Sequence, residues 1–226
     1  EQEDNYLLAL CYQNTGVVYD GLKRPDEAME YYKKALDIFR VIKDKDGEAS
    51  ILQNIGIILS DKKQYREALG YYLTALKFYE ELKDNVSIAM MYLNLGSSYE
   101  EQGFYSRALG YYTKALDLST RENYKYGIAY SHISLGMVYK STGEYAKALD
   151  HLKKSLSYSR MIALVENEID CHYELSEAYF GLGEYKEAYQ ELMIYKELYE
   201  DKQEQEQGQE PDNQSGKGEK NDSGNE

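Results

Sequence analysis

The sequence predicts an all-α fold, an α-α superhelix of five helix-turn-helix repeats followed by a disordered tail. Three observations support this prediction. A motif recurs every 40 residues, in five copies without an insertion or a deletion. Apolar residues within a copy lie at helical spacing, as Tyr92, Leu95, Gly96 and Tyr99 do at i, i+3, i+4 and i+7. The 226-residue chain contains only 2 Pro, which suits long, uninterrupted helices.

The first helix of each copy carries a polar residue, one intervening residue and then a small residue. A small residue allows the second helix of the pair to approach closely, and the bulky Tyr side chains fill the spaces between pairs. The five triplets are Asn14-Thr15-Gly16, Asn54-Ile55-Gly56, Asn94-Leu95-Gly96, Ser134-Leu135-Gly136 and Glu174-Leu175-Ser176. Because one pair cannot bury its apolar face alone, we expect neighbouring copies to stack around a continuous core.

A short turn and a second helix complete each copy. Gly103, Gly143 and Gly183 stand in the turn, where glycine can take the left-handed conformation that ends a helix. Pro25 begins the second helix of the first copy, where its missing N–H costs nothing. The second helices share an alanine at one register, namely Ala28, Ala68, Ala108, Ala148 and Ala188. The predicted repeats span about 1–46, 47–86, 87–126, 127–166 and 167–200.

Residues 201–226 differ from the rest of the chain in composition. They contain no aromatic and no aliphatic side chain, but 8 acidic residues and 3 Lys. This composition predicts an acidic, low-complexity, disordered tail. The whole chain carries a formal net charge of −14, which repels phosphate. We therefore expect neither nucleic acid nor direct membrane contact among its partners.

The helical copies resemble the tetratricopeptide repeat (TPR) family. The third copy follows that family's pattern with Tyr in the aromatic positions: Tyr92-x2-Leu95-Gly96-x2-Tyr99, then Ala108-x3-Tyr112, then Ala115. The period of 40 residues and the absence of the terminal Pro indicate a second helix that runs past the usual stop. In this respect the chain looks like the 40-residue-period subclass found in spindle-orientation adaptors, bacterial peptide-pheromone receptors and sensor regions of two-component regulators.

The resemblance implies a concave groove, lined by the first helices, that binds an extended or helical peptide. A ladder of amide side chains there would offer both donors and acceptors to a ligand backbone, and an acidic row, with Lys140 as the exception, would favour a basic ligand. Two alternatives remain open: the amides cap turns or pair with the adjacent repeat, and the acids are solvated helix ends. The candidate groove residues are Gln13, Asn14, Asp20, Gln53, Asn54, Asp61, Asn94, Glu100, Glu101 and Lys140.

The function expected from the resemblance is a non-enzymatic scaffold or adaptor whose partner is a protein or peptide. The alternative is a sensory or regulatory TPR region of a larger bacterial signalling protein, either a two-component or a transcriptional regulator. No catalytic, metal-binding or cofactor-binding motif occurs in the sequence, so we expect no enzymatic activity and no cofactor.

The remaining polar residues of note have structural explanations. His132 and His172 lie where the TPR pattern has Trp, so packing accounts for them. Cys11 and Cys171 share one register, four repeats apart, and we expect both to be small buried side chains. The sequence begins at Glu1 rather than Met, so the N-terminus is expected to be incomplete or processed. We expect a cytoplasmic location, with the bacterial periplasm as the alternative.

Overall fold

The structure, a computed structural model, describes residues 2–207. This part of the chain forms ten α-helices and contains no strand. The helices are α1 (Gln2–Gly21), α2 (Pro25–Ile42), α3 (Lys45–Asp61), α4 (Tyr65–Leu82), α5 (Asn85–Glu100), α6 (Tyr105–Arg121), α7 (Lys125–Ser141), α8 (Tyr145–Met161), α9 (Val165–Leu182) and α10 (Tyr185–Gln207). None of these ten helices is long and apolar enough to cross a membrane.

Consecutive helices pair as five hairpins. The contacts are most extensive within the first four hairpins, from α1 with α2 to α7 with α8, and α9 contacts α8 and α10 about equally. The second helix of each of the first four hairpins also contacts the first helix of the next. The turns that join the helices are only two to four residues long. The predicted all-α superhelix of five helix-turn-helix repeats is therefore confirmed.

The turns end their helices through residues in the left-handed backbone region. Gly103, Gly143 and Gly183 have φ values of 77°, 79° and 80°, as the sequence predicted. The first two repeats use Lys23 and Lys63 at the same place, with φ values of 57° and 60°. Glycine is therefore the lower-cost residue for this turn, but lysine can also adopt the conformation.

The core of each of the first three hairpins centres on a tyrosine ring that packs against a glycine. Tyr32 lies on Gly16, Tyr72 on Gly56 and Tyr112 on Gly96, and a Cβ at any of these glycines would overlap the ring. These three tyrosines are among the most buried residues of the chain. In the fourth hairpin Leu152 takes the place of the ring above Gly136. The small residue of the first helix and the bulky residue of the second are thus two halves of one contact.

The last helix is longer than the sequence predicted. Helix α10 continues to Gln207, so the first seven residues assigned to a disordered tail are helical. Ion pairs help to hold this end, since Lys196 contacts Glu200 at 3.6 Å and Lys202 contacts Glu166 of α9 at 3.3 Å. The rest of the predicted tail, 208–226, lies outside the described residues.

One of the two cysteines is also placed differently from the prediction. Cys171 is buried as expected, but Cys11 is exposed. The register explains the difference, because Ile51 and Met91 at the same place are fully buried. That face of a first helix is covered by the second helix of the preceding repeat, and among the described residues α1 has no preceding repeat.

Candidate functional site

The first helices of successive repeats meet on one side of the solenoid. Helix α3 contacts α5, α5 contacts α7, and α7 contacts α9, in addition to the contacts within and between hairpins. Within residues 2–207, no two second helices are in comparable contact. The first helices are therefore closer together than the second helices, and they form the inner side of the curve. This inner side is where the family resemblance places a ligand groove.

Two of the predicted groove amides are already engaged within the protein. Gln13 donates from Nε2 to Ser50 Oγ on the next first helix at 3.1 Å. Gln53 accepts a long hydrogen bond of 3.5 Å from the hydroxyl of Tyr79. Gln13 thus pairs with the adjacent repeat, whereas Gln53 pairs with the second helix of its own repeat, and the role of both in ligand binding stays a prediction.

The three asparagines of the predicted ladder are not engaged in this way. Asn14 is exposed and Asn54 is half-buried, and neither side chain hydrogen-bonds to any described part of the protein. Asn94 is half-buried, and its Nδ2 group is fully buried without a hydrogen-bond partner among the described residues. The asparagines thus neither cap turns nor pair with the adjacent repeat, and their assignment to ligand binding stays a prediction.

The acidic row begins with two carboxylates in neighbouring repeats. Asp20 and Asp61 are close enough that the negative charge of Asp20 affects Asp61. Partial burial raises the pKa of Asp61, the charge of Asp20 raises it further, and the nearby Lys23 offsets part of the effect. A cation placed beside these two carboxylates would relieve their repulsion.

Glu100 and Glu101, further along the row, contact tyrosines of two different second helices. Tyr112 donates its hydroxyl to Glu100 Oε2 at 2.6 Å, and Tyr65 donates to Glu101 Oε2 at 3.2 Å. Burial raises the pKa of Glu100, although the hydrogen bond from Tyr112 and the charge of Lys140 act against this. Glu100 is thus a half-buried acid that is anchored to the core tyrosine, whereas Glu101 lies at the exposed edge.

Lys140 is the centre of an ion-pair cluster that includes residues the sequence analysis did not select. Its ammonium group lies 2.8 Å from Glu174 Oε2 and 3.2 Å from Glu177 Oε2, and it is 5.9 Å from the ring centre of Tyr173. Burial alone would lower the pKa of Lys140, but the bonds and charges of the two glutamates outweigh it and raise the pKa. Glu174 could have been selected from the sequence, because it occupies the same repeat position as Asn14, Asn54 and Asn94.

The inner side thus combines unpaired amides with an excess of carboxylates. The amides can donate to and accept from a peptide backbone, and the carboxylates attract ammonium or guanidinium groups. No group of three or more His, Cys, Asp or Glu in the described part of the chain is arranged to hold a metal ion. The chemistry available at this surface is therefore that of recognition by hydrogen bonds and charge.

Five stacked helical hairpins with a polar inner side define an α-solenoid repeat protein. The model of the tetratricopeptide repeat family matches residues 8–81 and 87–161, which together are more than half of the chain. The chain therefore belongs to the tetratricopeptide repeat family. No curated protein sequence matches it.

Several solved structures are similar to the chain. Aspartyl phosphate phosphatase F from Bacillus subtilis has 15% identity and a TM-score of 0.77, over 92% of this chain and 53% of that protein. The Rap conjugation gene regulator of the plasmid pLS20, solved with a Phr peptide, has 20% identity and a TM-score of 0.74, over 84% of this chain and 53% of that one. A signal transduction ATPase with numerous domains and a tetratricopeptide repeat sensor, from Pyrococcus horikoshii, has 23% identity and a TM-score of 0.73, over 84% of this chain and 30% of that protein. The chain thus spans about half or less of the length of these three proteins, and the likeness at such identities concerns the fold.

Proposed function

We propose that this chain is a non-enzymatic scaffold or adaptor module that binds a peptide or protein segment along the inner side of its first helices. The observation that carries the proposal is that the side chains of Asn14, Asn54 and Asn94, all on first helices, have no hydrogen-bond partner among the described residues. A buried polar group without a hydrogen bond costs about 1–3 kcal/mol. Because Asn94 Nδ2 is buried, the side chain must rotate to donate to a ligand carbonyl and recover this energy. Asn54 and Asn14, which are not fully buried, offer the same chemistry to the ligand backbone in the two preceding repeats.

We further propose that the ligand carries lysine or arginine side chains. Asp20 and Asp61 lie close together near the start of the row, and Glu100 is half-buried, which disfavours its charged form. A ligand cation near either site stabilises the ionised carboxylates. Charge complementarity of this kind contributes chiefly to specificity and to the rate of association.

A binding experiment with a matched pair of variants tests the groove. A panel of fluorescent peptides of equal length, rich in Lys and Arg or in Glu, is titrated with the full chain and with the double variant Asn54→Ala, Asn94→Ala. We expect micromolar affinity for basic members of the panel, about −8 kcal/mol, and at least a tenfold loss in the double variant, about 1.4 kcal/mol. The melting temperature should not fall, because neither amide is hydrogen-bonded to residues 2–207.

Gln190→Ala provides the control for this experiment. Gln190 is an exposed amide on α10, a second helix, and so lies away from the inner side. Its removal should leave peptide affinity unchanged. If the double variant binds as tightly as the original chain, the ligand does not use the asparagine ladder and the groove proposal is wrong.

A second candidate function is a sensory or regulatory region of a bacterial signalling protein. It is favoured by the similar structures, which include a gene regulator solved with a peptide and an ATPase with a repeat sensor. A regulatory region must change shape when its ligand binds, whereas a scaffold need not. Small-angle X-ray scattering of the chain with and without a bound basic peptide separates the two, because only the regulatory region should change its radius of gyration.

A further inference from the structure

The contact between neighbouring repeats recurs along the solenoid. In the middle of the chain, Tyr105, Leu109 and Tyr112 of α6 form one apolar cluster with Leu135 and Val138 of α7. The first half of a second helix thus packs against the second half of the next first helix. The positions that form this contact in α6 and α7 recur 40 residues earlier, in α4 and α5, and 40 residues later, in α8 and α9.

At each end of the described solenoid, one of the two helix faces that form this contact is exposed. At the start, Val18 of α1 is 59% exposed, whereas Ile58 and Val138 at the same register are 1% and 0% exposed. At the end, Tyr185 and Tyr189 of α10 are each 64% exposed. Together with Leu192, Tyr173 and Phe180, the two tyrosines of α10 line an open, mainly apolar cavity of about 310 Å³ between α9 and α10.

A specific pair of residues matches across these two ends. The ring of Tyr145 fills the space over Gly181 in the next repeat, where a Cβ would overlap it. Gly21 of α1 has the register of Gly181, but nothing lies within 4 Å of the position where its Cβ would be. Tyr185 has the register of Tyr145, and its ring is exposed. Among residues 2–207, therefore, no side chain fills the glycine site at one end, and the matching tyrosine ring at the other end is exposed.

We propose that the chain associates head to tail, with the second half of α1 of one copy packed against the α9–α10 end of another. This junction continues the interface that the chain already builds four times between its own repeats. Residues 208–226 cannot supply the occupant, because they contain no aliphatic or aromatic side chain. A second copy supplies the required residues, which are Val18 and Gly21 of α1 and Leu22 directly after it.

The junction is confined to the first half of α10. At the other end of the repeat interface, Gly47 admits the ring of Phe39, and a Cβ at Gly47 would overlap that ring. Leu7 and Tyr199 occupy these two registers at the chain ends, and two bulky side chains cannot repeat that contact. Because the two faces differ, each molecule can bind one neighbour at each end, so the association can extend beyond a dimer.

The experiment is sedimentation of the full chain from about 1 μM to about 1 mM, with one variant on each face. Val18→Asp places a charge in the apolar face of α1, and Tyr189→Asp places one in the apolar face of α10. Val41→Asp, on the exposed side of α2, is the control. We expect the mass of the original chain and of the control to rise with concentration beyond that of a dimer. Each face variant alone should stay monomeric, whereas an equimolar mixture of the two should form a dimer and nothing larger, because only one intact junction can form.

Gly21→Ala separates the junction from the stability of the monomer. The added methyl group meets open space in the monomer and favours the helix, so the melting temperature should stay the same or rise. In the junction it meets the ring of Tyr185, so the association constant should fall at least tenfold. A chain that is monomeric throughout, an association that either face variant leaves intact, or a mixture that fails to form the dimer would overturn the proposal.

Discussion

At the scale of single residues, the stability of a hairpin depends on the close contact between a glycine and a tyrosine ring. Gly96→Ala places a methyl group into the buried ring of Tyr112, and overpacking of this kind costs about 1–3 kcal/mol. Gly110→Ala is the matched control, since nothing lies within 4 Å of its Cβ position on the exposed side of α6. Urea unfolding should show a loss for the first variant and a gain of up to about 1 kcal/mol for the second. Equal effects would contradict the ring contact.

The ion pair of Lys140 is a second contact on which stability depends at this scale. Lys140→Ala leaves Glu174, which is only 8% exposed, as a buried carboxylate without its cation. Removal of one partner of a buried pair costs about 3–5 kcal/mol, and we expect the lower end of this range because Glu177 is exposed.

Lys154→Ala is the control for the Lys140 prediction, because its pair with Asp150 is on the surface and should cost about 0.5 kcal/mol or less. Chemical denaturation measures both variants. The added change Glu174→Gln should restore most of the stability of Lys140→Ala by removing the unpaired charge. If it restores nothing, the cost does not arise from the buried carboxylate.

At the scale of an element, α7 and α8 are joined by a pair of histidines. His132 Nδ1 and His151 Nδ1 are 3.0 Å apart, so one nitrogen donates to the other and both rings cannot be charged without repulsion. Burial, and then the charges of His151 and Lys154, lower the pKa of His132 from 6.5 to about 4. Burial likewise lowers the pKa of His151, although the charge of Asp150 acts against it.

This pair predicts a hairpin that loses stability in acid. Because the folded state binds fewer protons than the unfolded state, stability is complete above the unfolded pKa and falls as the pH drops from about 6.5 towards about 4, by on the order of 3 kcal/mol. His151→Tyr introduces the residue found at Tyr31, Tyr71 and Tyr111 and should reduce this loss. Thermal unfolding at pH 7 and pH 5 measures it. A variant with the same loss as the original chain would show that other groups cause it.

The elements were largely predictable from the sequence because each depends on local signals. The 40-residue period and the turn glycines gave the hairpins, and the small residues marked the close contacts. The end of α10 was not predictable in this way, because its last turns are polar throughout and depend on contacts such as that between Lys202 and Glu166. The left-handed backbone conformation of Lys23 and Lys63 could likewise not be predicted from the residue type.

At the scale of the whole molecule, the repeat register predicted which residues share the inner side but not how they pair. The sequence predicted Gln13 as a groove residue but not its hydrogen bond to Ser50. Glu174 and Glu177 were not selected, yet they hold Lys140. Side-chain pairing across repeats depends on the rotation of one repeat relative to the next, and a periodic sequence does not encode that rotation in any single motif. Whether the asparagines bind a ligand stays a prediction for the same reason.

The net charge of −14 predicts opposite effects of salt on the two proposed associations. A basic peptide is drawn to the acidic inner side, so its affinity should fall as salt screens the attraction. Head-to-tail association brings two acidic molecules together through apolar side chains, so it should strengthen as salt screens their repulsion. The Debye length shortens from about 30 Å at 0.01 M to about 10 Å at 0.1 M and about 3 Å at 1 M salt.

Fluorescence titration of a basic peptide and sedimentation of the chain alone, each over this range of salt, measure the two effects. Gln190→Ala should follow the original chain in both experiments. Glu101→Gln removes one carboxylate of the inner side, so it should flatten the salt dependence of peptide binding and leave that of self-association nearly unchanged, because Glu101 follows α5, in the third of the five repeats. If peptide binding and self-association respond to salt in the same direction, the two surfaces are not the separate acidic and apolar sites proposed here.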